Sequence, residues 1–276
     1  MGDDFLHTTL GQIGLPVHRV GLSATYRPGK DTVRRAIDEG LNYFFCFGID
    51  TQMTKVLKEE MKNRREKFVI ATGAYNLLFG HPNIERSLEK RLKQLGTDYI
   101  DVFMFQGVTK EKHFPPELID RFQRLKDGGK VRFIGLSAHA RKFAGRLAAE
   151  GLVDVLMIRY NAAHRGAEQD IFPYLSAHNP GVTSFTATRW RELIRRPPKT
   201  KWPEEKPVPT AGQCYRFVLS NPAVHVCLMS PTNIRQLEEN MKEIREKGPL
   251  SPDEMEFMRR FGDIVHHTRK KMFGPG

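Results

Sequence analysis

Two periodicities take turns along this chain. Short runs rich in β-branched and aromatic residues, at 18–24, 41–45, 68–72, 99–105, 131–137, 153–159, 182–187 and 224–229, predict strands. After each comes a stretch with apolar residues at helical spacing. These predict helices over 31–39, 54–62, 82–95, 116–126, 142–150, 170–178, 211–219 and 234–246. Gly40, Gly96 and Gly151 stand where helices should stop, and Asn179-Pro180 ends another. Several strands are apolar on both faces, as a parallel sheet covered on both sides requires. Eight strand–helix units in succession predict an α/β chain folded as a closed (β/α)8 TIM barrel, not an open doubly wound sheet. No G-x-G-x-x-G follows any strand, which also counts against the open dinucleotide fold. The turn-rich stretch 10–17 predicts an N-terminal β-hairpin, and Ser251-Pro252-Asp253-Glu254 starts an extra C-terminal helix within 251–276. The longest gap, 190–210, carries Pro197, Pro198, Pro203, Pro207 and Pro209. It reads as a functional loop over the barrel mouth. Residues 1–276 thus read as one barrel domain.

Composition narrows the class. Hydrophobic residues make up 39% and charged residues 28%, which excludes a disordered or fibrous chain. No apolar run is long enough to span a bilayer. The opening residues lack a basic-then-apolar signal pattern, and Cys46, Cys214 and Cys227 are too scattered for a disulfide framework or a metal site. A cytoplasmic location is expected. His266-His267 has no Cys or Glu at ligand spacing, so no metal is expected. The net charge of +12 favours anionic partners. Two windows concentrate it: 186–202, with six basic residues against Glu192, and 259–271, with five against Asp263. Either they are solvated surface or they meet an anion. Trp190, Trp202 and Phe261 are too few in them to stack a run of bases, so no nucleic-acid partner is expected.

Six segments carry a resemblance. They are Gly40-Leu41-Asn42-Tyr43-Phe44, Gly96-Thr97-Asp98-Tyr99-Ile100-Asp101, the run from Gly129 to Ser137, Arg159-Tyr160-Asn161, the run from Arg216 to Pro222, and Gln236-Leu237-Glu238-Glu239-Asn240. In this order, and on these predicted elements, the chain resembles an aldo/keto reductase over nearly its whole length. The resemblance implies the same barrel, NADP(H) bound across its mouth, and reduction of carbonyls by hydride transfer. It also implies an Asp, Tyr, Lys and His tetrad in which Tyr gives the proton, Lys and Asp lower its pKa, and His orients the carbonyl.

That tetrad is replaced. Phe45 stands at the Asp position, Asp50 at the Tyr, Gly73 at the Lys and Gln106 at the His. Gln106 can still donate a hydrogen bond but delivers no proton. Asp50 could act as an acid only if burial raised its pKa. Tyr75, two positions past Gly73, either supplies a phenol or simply lines the mouth. His139, just past the fifth strand, is either a titratable group at the site or a loop hydrogen-bonder.

The implied cofactor residues are thinned. Ser137 is kept, while Ala138, Met157 and Ala187 replace the Asn, Gln and stacking aromatic at the nicotinamide end. Trp190 is a candidate ring-stacker and Arg189 a candidate pyrophosphate ligand. Beyond the eighth strand, Ser230, Thr232, Arg235, Gln236 and Asn240 are the candidates for the phosphate and adenosine end, where a helix N-terminus favours anions. The expected function is an aldo/keto reductase-like oxidoreductase with an atypical or lost catalytic site, its ligand a small carbonyl or anionic molecule. The alternative is a pseudoenzyme that keeps the barrel as a binding or regulatory subunit for a protein partner.

Overall fold

Eight short strands pair in parallel and close on themselves in the computed structural model, which describes residues 4–47, 50–75, 83–197, 202 and 204–268. A two-stranded antiparallel ribbon, β1 (His7–Thr9) with β2 (Pro16–His18), precedes them. The barrel runs β3 (Val20–Ser23), β4 (Tyr43–Phe45), β5 (Val69–Tyr75), β6 (Ile100–Val108), β7 (Val131–Ala138), β8 (Val155–Arg159), β9 (Gly181–Phe185) and β10 (Val226–Met229), with β10 paired back to β3. The helices are α1 (Lys30–Asp38), α2 (Gln52–Glu60), α3 (Ile84–Leu95), α4 (Pro116–Asp127), α5 (Arg141–Ala149), α6 (Ala167–Asp170), α7 (Ala211–Leu219), α8 (Ile234–Lys247) and α9 (Pro252–Thr268). This is the (β/α)8 barrel that the alternation predicts, with its hairpin and extra helix.

Side-chain alternation builds two cores. Tyr43, Val69, Val102, Val155 and Val226 fill the barrel interior, and Leu10 and Val17 from the ribbon pack into the same cluster. The ribbon therefore plugs the barrel, leaving the opposite mouth for chemistry. The other face of each strand packs against the helices, through residues such as Phe103, Phe105 and Phe122.

The structure departs from the predicted elements in instructive places. β5 and β6 run past their predicted ends at 72 and 105, as far as the pair Tyr75↔Gln106. Gly73 and Ala74 are poor strand formers, but pairing with β6 overrides that preference. The predicted helix 170–178 is instead α6 followed by a 3-10 turn at Phe172–Tyr174, because Pro173 has no N–H to continue a helix. The predicted strand 18–24 divides, with His18 in β2 and Ala24–Tyr26 in a 3-10 turn.

In the Pro-rich stretch 190–210, Glu192–Ile194 form a 3-10 turn and Trp202 is buried against Phe257 and Phe261 of α9. Residues 198–201 and 203 of that stretch, and the tail beyond 268, lie outside the described residues. Its far end is pinned by a capping box. Thr210 Oγ1 accepts from Gln213 N at 3.0 Å, and Gln213 Oε1 accepts from Thr210 N at 3.1 Å. Thr210→Ala is expected to lower stability by about 1 kcal/mol, read as the shift of the urea midpoint at constant slope. An unchanged midpoint would show that the box contributes nothing.

Among the described residues, no helix is long and apolar enough to cross a membrane.

Candidate active-site cavity at the barrel mouth

The C-terminal ends of the strands surround a cavity of about 510 Å³. Phe45, Tyr75, Gln106 and Ser137, from β4 to β7, line one side, with Phe47 and His139 just beyond their strands. Ser230, Pro231, Gln236, Glu239 and Asn240 line the side after β10, together with Tyr26. Thr186, Ala187, Thr188, Trp190 and Arg191, which follow β9, form the wall between. In that wall Thr186, Arg189, Trp190 and Arg191 all have positive φ, between 48° and 71°. Non-glycine residues seldom adopt such a conformation, and clusters of it mark functional loops.

At the first side the void left by the expected ammonium is already filled. A Cβ on Gly73 would lie 2.0 Å from the Met104 carbonyl oxygen and 2.8 Å from Gln106 Nε2. Gln106 is 4% exposed, and its amide lies over Gly73. Tyr75 is 46% exposed and meets the Phe47 ring edge-on at 5.9 Å. His139 packs edge-on against Phe185 at 5.8 Å, and its Nδ1 is buried without a hydrogen-bond partner. Burial, with Arg159 adding repulsion, holds the imidazole below its ordinary value.

Asp50 requires a correction. It does not line the cavity. Its carboxylate caps α2, accepting from Gln52 N at 3.3 Å and Met53 N at 3.0 Å. A carboxylate taken up by the N–H groups of a helix's first turn is not an acid aimed at substrate.

Arg189 requires another. It is 3% exposed, donates to Val265 O on α9 at 2.6 Å and pairs with Glu192 at 3.1 Å. It braces the wall from behind instead of reaching into the cavity. Its neighbours Trp190 and Arg191 do line it.

At the far side, Ser230 Oγ accepts from Tyr26 N at 2.9 Å and donates to Ser23 O at 3.0 Å, stitching the loop after β10 to the loop after β3. Asn233 caps α8 through Gln236 N. Gln236 Oε1 accepts from both Thr232 N and Thr232 Oγ1 at 3.0 Å, which leaves its NH2 group for the cavity. Thr232 and Arg235 do not line the cavity. The Arg235 side chain is 86% exposed and held by Glu239 at 2.7 Å. The structure thus gathers Tyr75, Gln106, Ser137, His139, Trp190, Ser230, Gln236 and Asn240 around one space, and leaves Asp50, Arg189, Thr232 and Arg235 outside it.

Arg191, Glu239, Tyr26 and Phe47 line the cavity as well, though the sequence did not single them out. For Arg191 the available signal was its place beside Trp190 in a basic window. Much of the charge in the two basic windows is spent within the molecule. Arg259 pairs with Glu168, and Arg196 donates to Glu204 O and Lys206 O.

A family model described as the aldo/keto reductase family matches residues 26–189. L-galactose dehydrogenase of Arabidopsis thaliana is 25% identical over 291 aligned residues, covering 89% of this chain and 90% of that protein. Aldo-keto reductase YhdN of Bacillus subtilis is 28% identical over 199 residues, covering 61% of this chain and 57% of that protein. Among solved structures, the holo form of aldo-keto reductase AKR11C1 from Bacillus halodurans superposes with a TM-score of 0.74 at 19% identity. It covers 92% of this chain and 95% of that one, and the likeness bears on the fold alone.

Proposed function

The chain belongs to the aldo/keto reductase family, and from that premise we propose that its mouth cavity binds a nicotinamide dinucleotide, NADP(H), beside an atypical catalytic site. The observation that carries this reading is one continuous cavity. It has the unpartnered His139 Nδ1 beside one side and the first turn of α8 at the other. The residues fit such a ligand loosely. Ser137 would hold the carboxamide side and Trp190 would offer an aromatic face. Arg191 supplies a cation for the pyrophosphate, and Gln236 and Asn240 donate at the adenosine side. Bound and reduced, the nicotinamide would supply a hydride to a carbonyl carbon. A preference for the 2′-phosphate requires Arg235 to leave Glu239 and turn inward.

The substrate in this reading is a small carbonyl compound. With no phenol–ammonium–carboxylate set, aliphatic aldehydes are expected to turn over near background, since general acid catalysis is worth about 10²–10⁴-fold. All three cysteines are free and buried, which suits the reducing cytoplasm.

Calorimetry with NADPH and NADH at two ionic strengths tests the reading. Binding that weakens with salt is expected, with Arg191→Ala losing about tenfold, roughly 1.4 kcal/mol. No heat with either nucleotide would favour the pseudoenzyme reading, in which the barrel serves a protein partner. The observation on that side is the Gln106 amide filling the space over Gly73.

A further inference from the structure

We propose that Arg189 is a positioning residue through which α9 holds the cavity wall in its binding shape, so that affinity at the mouth depends on the seating of a helix outside the cavity. The inference rests on the dinucleotide reading above and adds what sets the affinity.

The wall is strained. Thr186, Arg189, Trp190 and Arg191 all carry side chains at positive φ within one short stretch. That conformation crowds Cβ against the following carbonyl oxygen, and it persists only where the surroundings impose it. Bonds inside the wall close its turns. Arg189 N donates to Thr186 O at 2.8 Å, Glu192 N to Arg189 O at 3.1 Å and Leu193 N to Thr188 O at 3.1 Å. They shape the turns without fixing where the turns sit. Two outside ties do that. Asn161 Nδ2, in the loop after β8, donates to Thr186 O at 2.8 Å. Arg189 leaves the wall on the side away from the cavity, where Nη1 donates to Val265 O of α9 at 2.6 Å and Nε pairs with Glu192 at 3.1 Å. The next two side chains, Trp190 and Arg191, line the cavity. The buried guanidinium thus links the place of α9 to the place of both.

The first tie ends on α9 as well. A Cβ on Gly262 would lie 2.1 Å from Ala162 O, so α9 lies directly on the turn that begins with Asn161. His266 Nδ1 donates to Ala163 O at 2.7 Å. Arg165 donates to Ala162 O at 2.6 Å and pairs with Asp263 at 2.6 Å. Among the described residues, none of α9 lines the cavity. A strained wall with both anchors on one helix moves with that helix. When α9 lifts, 186–191 relax toward the ordinary backbone regions, and Trp190 and Arg191 are no longer held in the cavity.

Hydrogen exchange on the unliganded full chain tests the coupling without a ligand. Two variants loosen the wall by different routes. Arg189→Met removes the direct tie, and Gly262→Ala adds a carbon that must push α9 off the Ala162 carbonyl. Each is expected to speed exchange at the amides of 186–194 by at least about tenfold, with the barrel strands as protected as in the wild type. Arg189→Met carries this test by itself if Gly262→Ala opens the barrel too. Unchanged exchange at 186–194 in Arg189→Met overturns the proposal. NADPH binding by Arg189→Met should weaken by about tenfold, the loss expected of Arg191→Ala. Arg189→Lys, which keeps a donor for the carbonyl and a charge for Glu192, should regain part of it. In Arg189→Met combined with Arg191→Ala the two losses should fall short of adding, because Arg189 acts through its neighbours in the wall. Fully additive losses, or wild-type affinity in Arg189→Met, overturn the proposal. If the wild type binds no dinucleotide, the reading above falls, and the exchange result alone decides whether α9 holds the wall.

Discussion

Gly73→Lys is expected to unfold the barrel instead of arming it. The substitution would return to β5 the amine that the family resemblance implies, yet the strand has no room for its first carbon. A Cβ there lies 2.0 Å from a backbone carbonyl of β6, and the facing residues Gly73↔Met104 are in register within a parallel ladder. That carbonyl cannot retreat without parting two strands of a closed barrel, unlike the end of a flexible side chain. Overpacking alone usually costs 1–3 kcal/mol. Here the strand pairing is lost as well, so a loss of more than about 3 kcal/mol is expected. At roughly 2–4 °C per kcal/mol, the melting temperature should fall by at least about 6 °C. Gly73→Ala should show most of the effect, because the first carbon already clashes. Adding Gln106→Ala relieves the 2.8 Å contact with Nε2 but leaves the carbonyl in place, so the double variant should remain destabilised. A Gly73→Lys protein that melts with the wild type would refute this account of the strand.

The same contrast explains what the sequence made legible. The segments that carried the family resemblance contain residues that hold distant elements together. Asn42 accepts from His18 N at 2.8 Å and donates to Pro16 O at 2.9 Å, fastening the ribbon to the barrel. Asp101 collects Arg65, Arg132 and Ile70 N. Asn161 donates to Thr186 O, and Arg216 binds Glu254 and Gly248 O, joining α7 to the start of α9. Such residues serve the barrel, so they reveal the fold and say little about chemistry.

The site was less legible because its residues depend on partners far away in the chain. Arg189 resembles a phosphate ligand until Val265, 76 residues later, is seen to take its proton donor. Gln106 was readable as a replacement, but its place over Gly73 depends on the register of β5 with β6. Arg235 is different, since its partner Glu239 lies one helical turn on and the pairing could have been read directly. The β5 and β6 extensions were missed for a physical reason too. Small residues near a strand end give no propensity signal, and only the neighbouring strand holds them extended.

Acid should weaken this fold well before its carboxylates titrate. Burial pushes His18 down to about 4 and His225 to about 4 from an ordinary 6.5. Burial, with Arg159, Arg189, His266 and Arg141 nearby, pushes His164 to about 3. Backbone bonding fits the His225 value. Val182 N donates to His225 Nδ1 at 3.0 Å, so that ring is used as a neutral acceptor at the foot of a barrel strand, and its protonation would need that lone pair. His18 Nδ1 faces both Val20 N at 3.0 Å and Val20 O at 3.1 Å, and there burial alone outweighs the backbone bond that favours the charged ring. Above pH 6.5 folded and unfolded chains both hold these rings neutral, and stability does not depend on them. As pH falls below 6.5 the unfolded chain takes up protons that the folded chain refuses, so stability is lost progressively toward pH 4. Each such histidine contributes a slope of up to about 1.4 kcal/mol per pH unit, and three acting together would exhaust the stability of an ordinary domain. Urea unfolding at pH 7.5, 6, 5 and 4.5 should give midpoints that are level at first and then drop steeply. His225→Gln should show a shallower drop than the wild type, because one of the three refusing groups is gone. Equal midpoints at pH 7.5 and 5 would mean that these rings are protonated as readily in the barrel as in the open chain.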